Sequence, residues 1–417
     1  MVNKMKKRFI IYCLFPLAVF FTTGSCDVEP FSPVFYTISL EVKPIEPNIK
    51  GAPTNFAVYN NALFVASGKD LWEYAERRED YCAWEKNDNI GAPANNEKIV
   101  QIASTSNSLY ALCNNDSNSR VQTSLKQYSG SGWVKCELEN ANISIQHIFA
   151  AHDTLFIGVR TENSRTYNIR YLHDNENAIK EFKHLTRKTN DDGEETIEID
   201  VVSGEISGAA YDGNGTYYIS TKGKGIFKTA SLSDENGTIL IPDSGNIEFT
   251  GIINLKDSVN TIAAITRGGE LYTVKDSVTK VAGVSMDSRM STGALAVWVD
   301  PTDDSRSRRL LLAGRQDALE YSTNSGYTYG YMELELDENG ITGTRFVEPG
   351  LNDRSTVDNN ELFISTIGKH PVNFIFQAPR VIDDNMTLFA STQQSGLWSY
   401  RVRSNTPQWN AEDGQHQ

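Results

Sequence analysis

The sequence predicts an all-β fold, a seven-bladed β-propeller, on three observations. A two-strand phrase is written seven times, most clearly in Tyr217-Tyr-Ile-Ser-Thr-Lys-Gly-Lys-Gly-Ile-Phe-Lys228 and Leu388-Phe-Ala-Ser-Thr-Gln-Gln-Ser-Gly-Leu-Trp-Ser-Tyr400. Its copies begin 46, 46, 62, 45, 48 and 78 residues apart. A base period of about 45, with four short strands per unit, is the spacing of a propeller blade. No segment of helical period is long enough to compete with the strands.

Each copy joins two apolar runs through a small residue and a polar or glycine turn, where glycine supplies the backbone angles a tight turn requires. The second strands begin at Leu63, Leu109, Leu155, Tyr217, Ile262, Leu310 and Leu388. The apolar segments before them are expected to be innermost, lining a central tunnel: Phe56–Tyr59, Ile99–Ile102, Ile145–Phe149, Ile206–Ala210, Gly251–Leu255, Ala294–Trp298 and Val372–Phe376. Third strands are expected at Leu71–Tyr74, Leu125–Tyr128, Tyr167–Tyr171, Gly225–Lys228, Glu270–Thr273, Ala318–Tyr321 and Leu397–Tyr400. The outermost strands are weaker, for example Tyr81–Trp84, Trp133–Cys136 and Tyr331–Leu336. The two long intervals locate insertions around 174–203 and 337–371, the second containing an extra strand candidate at Glu361–Ser365.

The seventh unit reaches only its third strand before residue 403, and an orphan strand, Val34–Val42, stands at the other end. Pairing the two would close the ring and hide a sheet edge. The propeller is therefore expected over 34–403, closed by the N-terminal strand, with 404–417 a disordered tail.

Ahead of it, Lys4, Lys6, Lys7 and Arg8 precede an apolar stretch, Phe9–Phe21, too short to span a bilayer. The following Thr23-Gly-Ser-Cys26 resembles the cleavage site of a bacterial lipoprotein signal. That resemblance implies removal of 1–25 and lipid attachment at Cys26, with 26–33 as a tether. Asp27 and Glu29 resemble the acidic export signal of surface lipoproteins in Bacteroidota. This implies the outer membrane, with the cell surface favoured over the periplasmic face.

Cleavage would delete four cations and no acids, moving the net charge from −14 to −18. Such a domain is repelled by phosphate backbones, so no nucleic-acid partner is expected. Cys82, Cys113 and Cys136 would remain besides Cys26, an odd number in a chain too large to need staples. They are expected to behave as buried small hydrophobes, with one disulfide at most.

Few residues carry chemistry. Ser322-Thr-Asn-Ser-Gly-Tyr-Thr-Tyr329 resembles the Asp-box of sialidase-type propellers, with Asn324 at the aspartate position, and Tyr128-Ser-Gly-Ser-Gly-Trp133 is a more degenerate copy. In that family the box is a structural turn between third and fourth strands. The family's arginine segment near the start and its tyrosine–glutamate pair are absent here. Lys222-Gly-Lys-Gly225 precedes a strand rather than a helix, so it is a turn and not a phosphate loop. The histidines at 147, 152, 173, 184 and 370 show no metal-ligand spacing, with His147 read as a core residue and His152 as a loop residue. Asp191–Glu195 lacks the alternation of a calcium loop and is expected to be a solvated loop. No nucleophile motif occurs. Neither a metal nor a cofactor is expected.

Alignment supplies one signal. Five residues after the second-strand starts stand Arg160, Lys222, Arg267 and Arg315, in four consecutive units. These turns are expected around the tunnel mouth, where an arc of cations would attract carboxylate or sulfate groups. Trp298 and Tyr329, nearby, could stack on a sugar or belong to the core. The expected function is non-catalytic binding of an acidic glycan or an envelope protein at the propeller face. The alternative is a propeller glycosidase or polysaccharide lyase in which Arg160, Arg267 and Arg315 hold a sugar carboxylate.

Overall fold

A computed structural model describes Ile49 and residues 51–412, apart from 78–81, 94–96, 116–121, 139–142, 162–164, 175, 177, 190–194, 233–237, 285–289, 302–308, 317–329, 345, 347–366, 368–370, 394–395 and 404–405. The signal peptide, the lipidation site Cys26, the tether and the strand at 34–42 lie outside these residues. So do Ala318–Tyr321, Asn324, Tyr329, Glu361–Ser365 and the Asp191–Glu194 part of the acidic run.

The strands form seven four-stranded antiparallel sheets, each in chain order. Blade 1 is Phe56–Tyr59, Ala62–Ser67, Asp70–Arg77 and Cys82–Lys86. Blade 2 is Lys98–Ser104, Leu109–Asn115, Gln122–Tyr128 and Trp133–Cys136. Blade 3 is Ile143–Ala151, Thr154–Thr161, Tyr167–His173 and the short Lys180–Glu181. Blade 4 is Glu205–Tyr211, Tyr217–Lys222, Gly225–Thr229 and Ile239–Leu240. Blade 5 is Phe249–Asn254, Ile262–Thr266, Leu271–Val274 and Val278–Lys280. Blade 6 is Met290–Val299, Arg309–Arg315, Tyr331–Asp337 and Gly340–Ile341; blade 7 is Val372–Gln377, Leu388–Thr392, Leu397–Arg403 and Thr406–Ala411. The first insertion is a two-stranded hairpin, Lys183–Thr189 with Glu195–Val201.

Apolar side chains fall into seven buried clusters, each shared by two neighbouring blades. This follows from strand alternation: both faces of every blade are covered, so second strands read as nearly continuous apolar runs. Leu63, Phe64, Val65 and Ala66 are all buried, alternately against blade 7 and blade 2. The ring closes between blades 7 and 1. Phe56 stacks on Phe376 with ring centres 5.6 Å apart, and the Gly396 amide donates to the Gly51 carbonyl at 3.0 Å. The seven-bladed propeller expected from the repeat is the fold observed.

Three expectations change in detail. The fourth strand of blade 7 is Thr406–Ala411, paired along Leu397–Arg403, so this blade takes its fourth strand from its own end of the chain, whereas the strand expected at 34–42 lies outside the described residues. Trp409, 1% exposed, anchors the strand and donates from Nε1 to the Tyr331 hydroxyl at 3.0 Å. The expected disordered tail therefore begins with a strand. In blade 6, Tyr331–Asp337 pairs directly with Arg309–Gly314 and is the third strand, not the outermost. The Asp-box-like segment 322–329 lies outside the described residues.

Cys113 and Cys136 are free thiols; Cys113 is fully buried, and burial pushes it up to about 12. Trp298 is also core, packed between blades 6 and 7.

Candidate binding face at the tunnel mouth

The first strands of successive blades are neighbours and form the inner wall. At one end of this wall, six blades carry the same irregularity. The ladder between first and second strands slips at Ile99/Gln101, Ile145/His147, Ile206/Gly208, Phe249/Gly251, Met290/Leu295 and Val372/Phe374. Bulges bend the strand and re-aim its side chains, and they concentrate at barrel rims and working sites. All six lie at the end where the second strand turns into the third, which defines the mouth.

The same end holds all four cations, each in different surroundings. Lys222 pairs in the ladder with Glu205, and its Nζ meets the Glu205 carboxylate at 2.6 Å. His147 of blade 3 reaches the same carboxylate at 3.6 Å across the blade boundary. The His147 imidazole, with Lys222 and against the opposing effect of burial, pulls Glu205 down to about 2. Arg267 is exposed on a cleft of about 430 Å³ with Asn246, Thr266 and Tyr272, and its guanidinium stands 3.5 Å from Glu248. Arg160 is half-buried over the Tyr167 ring at 5.7 Å.

Arg315 departs from the arc. In blade 6 the ladder skips from Met290 to Leu295 on one strand while the other moves only from Arg315 to Ala313. The excursion keeps Arg315 inside the ladder opposite Met290, where it is 2% exposed. It is a core side chain, not a mouth ligand.

The excursion also obstructs the tunnel. Gly293, at φ +73°, lies so near Phe149 of blade 3 that an added Cβ would fall 2.9 Å from Cε1 of that ring. Phe374 of blade 7 lies 4.0 Å from the same point, so three blades meet across the axis.

Sequence reasoning found the cations and missed their partners. Glu205 opens the first strand of blade 4 and Glu248 stands just ahead of that of blade 5; Glu97, just ahead of the first strand of blade 2, binds a different cation, Lys126, at 2.5 Å. The reading of His147 as a core residue is also replaced, since it is half-buried at the mouth against Glu205.

No family model matches this sequence, and a search of curated proteins gave no match. Among solved structures the chain is similar to the GH74 enzyme of Niastella koreensis, at 10% identity and a TM-score of 0.53, over 89% of this chain and 55% of that one. It thus spans about half the length of that enzyme. It is also similar to YCF48 from Cyanidioschyzon merolae, at 10% identity and a TM-score of 0.47, over 86% of this chain and 98% of that one. A structure of YCF48 bound to D1 peptide gives 12% identity and a TM-score of 0.46, over 87% and 96% of the two chains. The GH74 likeness, at such low identity, is one of fold. The class defined is the seven-bladed β-propeller, and chemistry has to be read from the residues.

Proposed function

We propose that the chain is a lipid-anchored envelope propeller that binds an acidic glycan on its mouth face without converting it. One observation carries this reading: the exposed Arg267 guanidinium, loosely held by Glu248, on a cleft that Tyr272 also lines. A ligand carboxylate or sulfate would replace Glu248 in a charge-assisted hydrogen bond, and the tyrosine would offer a ring to the sugar. Glu205, held ionised between His147 and Lys222, is a poor proton donor at neutral pH, which supports binding over general-acid catalysis.

Anchoring at Cys26 on the outer membrane belongs to the same proposal and rests on the lipoprotein-like signal. The test uses the detergent-solubilised full chain on immobilised uronate and sulfated glycans. Arg267→Gln is expected to lower retention about tenfold, the loss of one charge-assisted contact of roughly 1.5 kcal/mol. Unchanged retention would exclude Arg267 as the anchor. Cys26→Ser is expected to release the protein from the membrane fraction, and persistence there would exclude the anchor.

A further inference from the structure

At the opposite end of blades 3 and 4 lies a larger cleft, about 560 Å³, that the mouth reading does not use. It is built from the first-to-second turns of both blades, the residues after blade 3's third strand, and those after the third strand of blade 4. One side is an aromatic row. His152 stacks on Tyr211 with centres 4.6 Å apart and planes 9° apart, and Tyr211 continues to Tyr217 at 5.0 Å. The turn creates this row: His152 sits at φ +54° in the two-residue hairpin between Ala151 and Thr154, which leaves its ring exposed.

Beneath the row is a fixed polar web. The Tyr217 hydroxyl donates to Asp153, His173 Nε2 lies 3.2 Å from the same carboxylate, and the Thr154 hydroxyl donates to it at 3.2 Å. Burial opposes ionisation of Asp153, but the Tyr217 hydrogen bond and His173 outweigh it and hold the carboxyl below its usual range. Tyr217 is raised by burial and by Asp153, so its hydroxyl serves as a donor and not as a base. Glu176, partly exposed at the rim, is paired with Lys180 at 2.6 Å. No lysine or arginine is among the described residues that line the cleft.

We propose that this cleft is a second carbohydrate site, for a neutral sugar residue, working independently of the mouth. Its volume falls in the range of small-molecule sites. The exposed His152 ring, backed by the half-buried Tyr211, packs against the apolar C–H face of a pyranose, while His173 and Glu176 offer hydrogen bonds to its hydroxyls. No lysine or arginine is among the described lining residues to meet a ligand acid group, and Asp153 and Glu176 already hold protein partners, so uronate and sulfated sugars gain no charge contact there. The two ends of the blades thus select opposite chemistries.

The test measures retention of the detergent-solubilised full chain on glucose-, galactose- and mannose-terminated glycans, with uronate glycans and an amine-bearing surface as comparators. His152→Asn suits the left-handed turn, which asparagine tolerates, and removes the exposed ring. It is expected to weaken neutral-glycan retention roughly tenfold while Arg267→Gln leaves that retention unchanged. Tyr211→Leu should act in the same direction, with an unchanged far-UV spectrum as its folding control. Absence of neutral-glycan binding by the wild type would overturn the proposal. So would equal retention by His152→Asn and wild type, or a preference for the amine surface. Loss of acidic-glycan binding alone would bear only on the mouth.

Discussion

At the mouth, Glu205 lies between His147 and Lys222, and Arg267 leans on Glu248. At the other end of blade 3, Asp153 gathers Tyr217, His173 and Thr154 beneath an aromatic row whose outer member, His152, is exposed. Both are charged clusters at a blade boundary. They differ in what remains available. The mouth keeps a cation whose partner is loose and solvated, whereas the cleft keeps ring faces over a carboxylate already saturated with donors. An isolated charge in an alignment says little until the groups that neutralise it are found, because exposed ion pairs are weak and buried ones are locked.

The largest expected effect separates Arg315 from the other cations. Arg315→Gln replaces the guanidinium of a side chain that is 2% exposed by a shorter, neutral amide and should cost about 2–4 kcal/mol in urea unfolding. A loss below about 0.5 kcal/mol, the size expected of surface sites, would return Arg315 to the mouth arc.

A smaller effect tests whether Glu205 is held by charge. Its folded-state pKa, about 2, lies below the ordinary 4.5. The stabilisation is therefore fully present above pH 4.5 and is lost as pH falls through about 2. Screening at a half-exposed site leaves about 1–2 kcal/mol of it. Glu205→Gln should be less stable than wild type by that amount at pH 7, and the gap should close by pH 2. A constant gap would mean that packing, not charge, holds this corner of the mouth.

Much of the fold was legible because the repeat is a ruler. Leu155-Phe-Ile-Gly-Val and its six counterparts are buried on both faces, so their apolar runs recur regardless of the loops. The outer strands were harder to place. Tyr331–Leu336 alternates Tyr-Met-Glu-Leu-Glu-Leu like a half-exposed edge, yet Glu333 is buried, 3% exposed, accepting from the Tyr331 hydroxyl. The completion of blade 7 hid in Thr406–Ala411, whose Pro407 and Asn410 weaken the strand pattern, although Trp409 was a usable signal. The four-cation arc was visible and its geometry was not, because bulges add or remove residues between alignment position and surface direction. The cleft was illegible for another reason. His152 and Asp153 come from a turn and His173, Tyr211 and Tyr217 from three strand ends, spread over two repeats, and no single repeat carries enough of them to stand out.

The smallest expected effect is on stability at Arg267, and its smallness is informative. The side chains of Arg267 and Glu248 are 48% and 49% exposed and meet at 3.5 Å, conditions in which an ion pair contributes a few tenths of a kcal/mol. Arg267→Gln should change the unfolding free energy in urea by less than about 0.5 kcal/mol, and the difference should vanish in high salt. Lys222→Gln provides the contrast, since it strips a 2.6 Å partner from Glu205, whose carboxylate also depends on His147. It should cost more than Arg267→Gln, by about 1 kcal/mol. The two cations occupy equivalent turns, so the inequality tests whether Arg267 alone can exchange its protein partner for a ligand at little cost. Equal losses would remove that distinction and return the choice among mouth cations to glycan retention.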